Sequence, residues 1–403
     1  MIIGAGQTQV PLIQAAKREN YYTVVCDLNP DAPGVPMANS FYRVSTKDRN
    51  GLLEVALKEK IDGIVANSEY AMRDVAYIAN QMGLVGNPEN AVALLSSKSS
   101  FRALQEKGGL FAPKCLPNVS VEQISTNQAL LSFPIIIKPD ESSGTRCVVS
   151  ITDPCDHERI SEAICSARAV SRNGKAIAEE YVPMPLRSVI EGEIFLHHGE
   201  ILWDGLFHTI RSHHMPMIPM TYVFPLQEEE NRLGQLKTVL TKAFRSAGIV
   251  HGEYNIEMFF TAEGNPFLIE LNPRQGGNDL PRYTQESCGI DLTRLLVTTS
   301  MGDDEYWNEL QHEQRKTNHI IHHMLYPGIS GIYKGIKTDD SISACIRRIQ
   351  IKPVIGDQIE KAKDGSYDIG YADLSFEDAE EQMRVAMQIE DLIQIDIGQE
   401  QKW

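Results

Sequence analysis

The chain has 403 residues, 42% of them hydrophobic and 23% charged, with a net charge of −16 at pH 7. This composition fits a globular protein of two or three domains. The acidic balance excludes a nucleic-acid backbone binder, which needs a basic face, and no apolar run is long enough to span a bilayer.

Seven scattered cysteines give neither a disulfide framework nor a zinc spacing, and no signal peptide precedes the first strand. The expectation is a cytoplasmic protein with reduced thiols and no nucleic-acid or membrane partner. The reading also allows for residues upstream of Met1, because the first glycine loop follows so soon after it.

Residues 1–95 alternate strand and helix: strands at Met1–Ile3, Tyr22–Asp27 and Gly63–Asn67, helices at Pro11–Asn20, Asp48–Lys60 and Glu69–Met82. This predicts a parallel α/β domain. Gly4-x-Gly6 with Asp27 resembles a dinucleotide fingerprint, but Gln9 holds the third glycine position, so NAD(P) is not the preferred ligand. The glycine loop remains a candidate substrate contact.

Ser96-Ser97-Lys98-Ser99 opens a helix running to Lys107, with Lys98 in its first turn. A cation there opposes the helix dipole and makes sense beside an anion. Ile135–Lys138 is a strand ending in lysine, followed by the polar loop Asp140–Arg146 and the return strand Cys147–Ile151. Loop amides and hydroxyls at Ser142, Ser143, Gly144 and Thr145, with Lys138 and Arg146, suit a nucleotide phosphate chain. After the helix Asp156–Arg172, the strand Lys175–Val182 offers an extended edge at Glu179, Glu180, Tyr181 and Val182 that can pair with an adenine. Val189–His198 and Glu200–Thr209 form a hairpin about His198-Gly199. Residues 210–226 read as a Pro- and Met-rich substrate loop containing Arg211, His213 and His214; adjacent histidines on one ion is the less favoured reading there.

A long helix, Glu228–Ala247, leads to YNIEMFFTAEGNPFLIELNPRQGG, two strands joined at Glu263-Gly264. With Ala262 facing Asn265, Glu257 faces Glu270, and Asn272 lies two residues on, on the same face. Facing carboxylates repel in a sheet, and an oxygen-rich set suits Mg²⁺, or Mn²⁺ in its place. Ile256, Met258, Ile269 and Leu271 are expected to pack inward. Helices follow at Asp279–Gly289 and Asp291–Met301. Beyond 306, strand-like runs around a helix at Phe376–Ile389 predict a small antiparallel α+β cap.

Together these motifs resemble the ATP-grasp superfamily, in particular its single-chain carboxylate–amine ligases such as L-amino acid ligases, over nearly the whole chain. The resemblance implies an N-terminal α/β domain over 1–95, an ATP-grasp domain of two α+β subdomains over 96–305 with a mobile lid at about 115–183, and the cap over 306–403. It implies Mg²⁺ on Glu257, Glu270 and Asn272, phosphate contacts from Lys98 and Lys138, a carboxylate or acyl phosphate held by Arg274, and ribose contacts from Glu191. Glu69, Arg211, Arg274, Gly276 and Gly277 are the substrate candidates. Cys147 and Ser142 stand where relatives usually carry glycine, and Leu186-Arg187-Ser188-Val189 lacks a glutamate common before Ser-Val. The implied activity is ATP-dependent joining of a small carboxylate to an amine, with ADP and phosphate released and a homodimer as the assembly. The competing expectations are a ligase that carboxylates or formylates a purine-pathway ribonucleotide, and a catalytically inactive nucleotide-binding protein.

Overall fold

The computed structural model describes residues 1–398 apart from 127–129, 143, 145, 186–188, 213, 214, 217, 313, 314 and 316. At the N-terminus, strands Ile2–Ile3, Val24–Cys26 and Ser40–Tyr42 pair in parallel, with helices Val10–Arg18, Arg49–Glu59 and Met72–Met82 packed around them. The strand read at Gly63–Asn67 shrinks to a single bridge between Val65 and Ile2. Ser40–Tyr42 went unread because none of its three residues is fully buried, which leaves no apolar signature. A helix at Glu89–Ser96 also went unread; it leads into the one at Lys98–Lys107.

A four-stranded antiparallel sheet follows, in the order Cys115–Leu116, Ala176–Glu180, Ile135–Pro139, Val149–Ile151. Ile135 and Ile137 bury one face against Ile160 and Ile164 of the helix His157–Val170. The strand expected to present an open edge is paired on both sides: Glu179 faces Cys115 on one flank and Ile136 on the other. The strand ends at Glu180, and Tyr181 N–H still donates to Pro134 O at 2.9 Å.

An eight-stranded antiparallel sheet forms the opposite wall. Its order is Pro266–Asn272, Gly252–Phe260, Val189–His197, Glu200–Arg211, Pro219–Phe224, His319–Leu325, Gly370–Phe376, Ile346–Ile351. The loop expected over 210–226 therefore contains a strand. Residues 220–224 are all buried, and a strand covered on both faces shows no alternation to read. His213 and His214 lie outside the described residues. Beyond 306 the chain is antiparallel α+β as expected, but three of its strands extend this same sheet. Among the described residues no helix is long and apolar enough to cross a membrane.

The hairpin Gly252–Asn272 sets its key pairing by two slips that cancel. The turn is one residue longer than the expected two-residue loop: Thr261, not Ala262, meets Asn265, and Gly264 takes φ +82°. That would put Glu257 out of step with Glu270. A bulge between Glu257 and Met258 restores the step, so Glu257 does face Glu270 while Met258 faces Leu268. The bulge also changes which side chains face inward. Leu268 joins Ile256, Met258 and Leu271 in the core against Leu236, Leu240 and Phe244, and Ile269 turns toward the cleft instead.

Candidate active site

Between the two sheets and the N-terminal domain lies a cleft of about 640 Å³. Three glutamates cross its floor in one row, Glu191, Glu257 and Glu270, because the strands of Val189, Gly252 and Pro266 set them opposite one another. Like charges side by side in a sheet are unstable unless cations face them, and here three do. Lys98 Nζ lies 3.2 Å from Glu270 Oε1 and also donates to Ser142 O at 3.2 Å. Arg211 bridges the other two, donating to Glu257 and, at 3.3 Å, to Glu191. Burial alone would raise the Glu270 pKa, but the charges of Lys98 and Lys138 outweigh it and hold the group at about 2. Glu257 stays above the usual carboxylate range, raised by burial with Glu270 beside it. Glu191 is pushed up to about 8 by burial and the neighbouring Glu257.

Lys98 is placed by its own helix start. Ser97 caps Ser100 N–H, and Asp140 at the end of the Ile135 strand accepts from Ser99 N–H at 2.8 Å and from Ser97 Oγ–H. Burial lowers the Lys98 pKa, but the charges of Glu270 and Glu69 more than reverse this, so it stays protonated. Lys138 ends the same strand and donates to Glu179, which also accepts from Arg102 Nε at 2.9 Å. Burial would raise Glu179; its two cations hold it at about 2. Arg102 also donates to Ile269 O at 2.9 Å, tying the two sheets together through one helix. The sequence reading missed Arg102; the available signal was its position one helical turn after Lys98.

At the other end, Arg274 donates to Gln275 O at 2.9 Å and its Nε lies 3.5 Å from Glu69 Oε2, a buried oxygen with no hydrogen bond of its own. Asn272 donates its amide to Glu270 at 3.1 Å; turning that amide would present its oxygen to a cation. Gly276 N–H donates to Glu193 Oε2 at 2.9 Å. Every described residue among the sequence candidates lines this cleft, from Glu69, Lys98 and Lys138 through Ser142, Gly144 and Glu179–Val182 to Glu191, Arg211, Glu257, Glu270, Asn272, Arg274, Gly276 and Gly277. Ser143 and Thr145 lie outside the described residues. Thr8 and Gln9 bring the first glycine loop to the rim, and Asn255, Tyr222 and Asn278 line the cleft without having been read from the sequence.

An all-oxygen set with a surplus of buried carboxylate fits a hard divalent cation: Glu257 and Glu270 face each other, and Glu257 shares a single arginine with Glu191. The Tyr181 end of the four-stranded sheet, with Lys138 and the Ser142 loop behind it, leaves room for a planar base and its phosphates.

Residues 131–281 match the family described as ATP-grasp domain. The chain is 21% identical over 323 residues to the carbamoyl phosphate synthase large chain of Thermotoga sp., which covers 75% of this chain and 28% of that relative. Several curated relatives are matched over about half of their length or less. Among solved structures it is similar to an L-amino acid ligase from Bacillus licheniformis, with TM-score 0.77, 19% identity and 98% of each chain covered. It is similar too to a phosphoribosylglycinamide synthetase from Anaerococcus prevotii, with TM-score 0.70, 18% identity and 98% of each chain covered. The chain thus carries an ATP-grasp domain at residues 131–281, and its overall fold is that of the ATP-grasp proteins.

Proposed function

We infer that the protein is an ATP-dependent ligase that activates a carboxylate as an acyl phosphate and joins it to an amine, releasing ADP and phosphate. The observation that carries this is the single cleft in which the Glu191–Glu257–Glu270 row faces Lys98, Lys138 and Arg211, with Arg274 at its end. Glu257, Glu270 and Asn272 would hold Mg²⁺, which supplies charge neutralisation at the phosphates. Lys98 and Lys138 would leave their carboxylate partners to meet phosphate oxygens, and Arg274 would hold the substrate carboxylate facing them. Carboxylate oxygen attacks the terminal phosphorus, the bond to ADP breaks, and the amine then displaces phosphate from the acyl carbon. Phosphoryl transfer is largely positioning and charge neutralisation, so no nucleophilic side chain is needed. The Ser142 loop would exclude water from the acyl phosphate.

An amino acid suits the substrate end better than a ribonucleotide. The N-terminal wall of the cleft, Thr8, Gln9, Asn67, Ser68, Glu69 and Tyr70, offers no cation for a second phosphate. Glu69 and Arg274, already paired, would bracket an ammonium and a carboxylate. The test is a phosphate-release screen over paired amino acids with Mg-ATP, followed by phosphorus NMR. ADP and phosphate in equal amounts are expected. AMP with no ADP overturns the mechanism; release only with ribonucleotides overturns the substrate class; no release with any substrate returns the inactive nucleotide-binding reading. A homodimer belongs to the same proposal, and light scattering tests it.

A further inference from the structure

We propose that His197, His198 and Asp304 form a site for a borderline transition-metal ion such as Zn²⁺, separate from the cleft. Neighbouring residues of a strand point to opposite faces, so His197 and His198 should diverge. They do not, because His198 and Gly199 both take left-handed conformations, φ +49° and +81°, in the turn to Glu200. The turn swings the second ring back, and the two ring centres come within 4.4 Å. Asp304 arrives from between the helices Leu292–Ser300 and Glu305–His312. Its Oδ1 lies 2.8 Å from His197 Nε2 and 3.9 Å from His198 Nε2, and one donor atom from each of the three residues falls within 4.8 Å of the others. Tetrahedral zinc with bonds near 2.05 Å sets its ligand atoms about 3.3 Å apart, which these distances straddle.

The buried member is built for a ligand. His197 is 4% exposed, and neither of its ring nitrogens makes a hydrogen bond; the Asp304 contact at 2.8 Å falls outside hydrogen-bond geometry. A buried imidazole whose Nδ1 has no partner and whose Nε2 meets only the Asp304 carboxylate is costly, and a bound ion would satisfy one of these nitrogens. Trp307 closes one side at 4.9 Å, while His198 and Asp304 are 64% and 49% exposed by side chain and give an ion its way in. The His251 ring packs edge-on against His198, with centroids 4.7 Å apart, and its Nδ1 accepts from His198 N–H at 3.4 Å. Imidazole with carboxylate selects zinc, nickel or copper over magnesium, so the two sites sort ions by chemistry. His197 lies six residues along its strand from Glu191, roughly 20 Å. An ion here would fasten the 197–199 turn to the 303–304 segment, whose Asp303 accepts from Tyr21 of the N-terminal domain at 2.6 Å.

Untagged, full-length protein stripped by chelation would be titrated with Zn²⁺ in saturating Mg²⁺. One ion per chain is expected, with a higher melting temperature. The Co²⁺ form should show tetrahedral visible bands without thiolate charge transfer. His198→Ala and Asp304→Asn, both at exposed positions, should each weaken binding at least tenfold and abolish the melting shift while phosphate release is unchanged. Absence of saturable binding, a thiolate spectrum, or unaltered affinity in both variants overturns the site.

Discussion

Two groups of glutamates on the same pair of strands meet opposite fates. Glu191 and Glu257 sit at the open end of the cleft, with Arg211 between them and the Lys98–Glu270 pair alongside. Glu193 and Glu253 lie deeper, 0% and 3% exposed, and among the described residues neither forms an ion pair. They are met instead by Asn255 Nδ2 at 2.8 Å, Gly276 N–H at 2.9 Å and Gln275 Nε2 at 2.7 Å. Burial raises both pKa values, Glu253 the more, with the adjacent Glu193 adding to it. Glu253 Oε1 has no donor of its own, but a proton on it would be given to Glu193, and that resolves the orphan. The same residue type is thus held ionised at Glu270, where Lys98 and Lys138 outweigh burial, and is pushed toward the neutral form at Glu193 and Glu253, which amides meet.

The comparison can be broken at the charged group first. Glu270→Gln should cut turnover on the order of 10²–10³-fold with the fold retained; phosphate release and melting curves check it, and near-normal rates in saturating Mg²⁺ would remove the metal assignment. Lys138→Ala should weaken ATP binding about 10- to 100-fold by calorimetry. It should also cost about 1–3 kcal/mol of stability, since Glu179 then keeps only Arg102 in a buried place. Unchanged ATP affinity would leave Lys138 a purely structural partner.

The neutral group is probed next. A Cβ at Gly276 would overlap Glu193 Oε1 and come within 2.9 Å of Asn255 Nδ2. Gly276→Ala should therefore cost about 1–3 kcal/mol and raise KM for the proposed amino-acid substrate, read by denaturation and steady-state kinetics. The smallest effect sharpens the contrast. Glutamine copies a protonated glutamate, so Glu253→Gln should cost less than about 1.5 kcal/mol. The sign follows from the raised pKa: the protonated group's contribution is complete below the unfolded value near 4.5 and is lost as pH rises through the higher folded value. The variant, which cannot ionise, should lose less stability than the parent at alkaline pH. A parallel loss in both would show that Glu253 is ionised throughout.

The lining of the cleft was legible in the sequence because strand alternation placed Glu257, Glu270 and Asn272 on one face and because lysines at element ends have few apolar uses. The pairing of Glu257 with Glu270 was reached through a turn that is not the one formed; two errors of one residue cancelled. Arg102, Glu193 and Glu253 stayed hidden, since a buried charge looks in sequence like any solvated one, and only tertiary contact supplies its partner. Pro219–Phe224 stayed hidden for the opposite reason, burial on both faces erasing the period.

The bulge beside Glu257 has a practical consequence. The turn register and the bulge together fix which carboxylates meet, and the hairpin tip itself lies outside the glutamate row. Glu263 is exposed and nothing lies within 4 Å of a Cβ at Gly264. The tip is thus an anchor point where a dye or tether can be attached about 20 Å from Glu257, at a distance from the cleft residues it would watch.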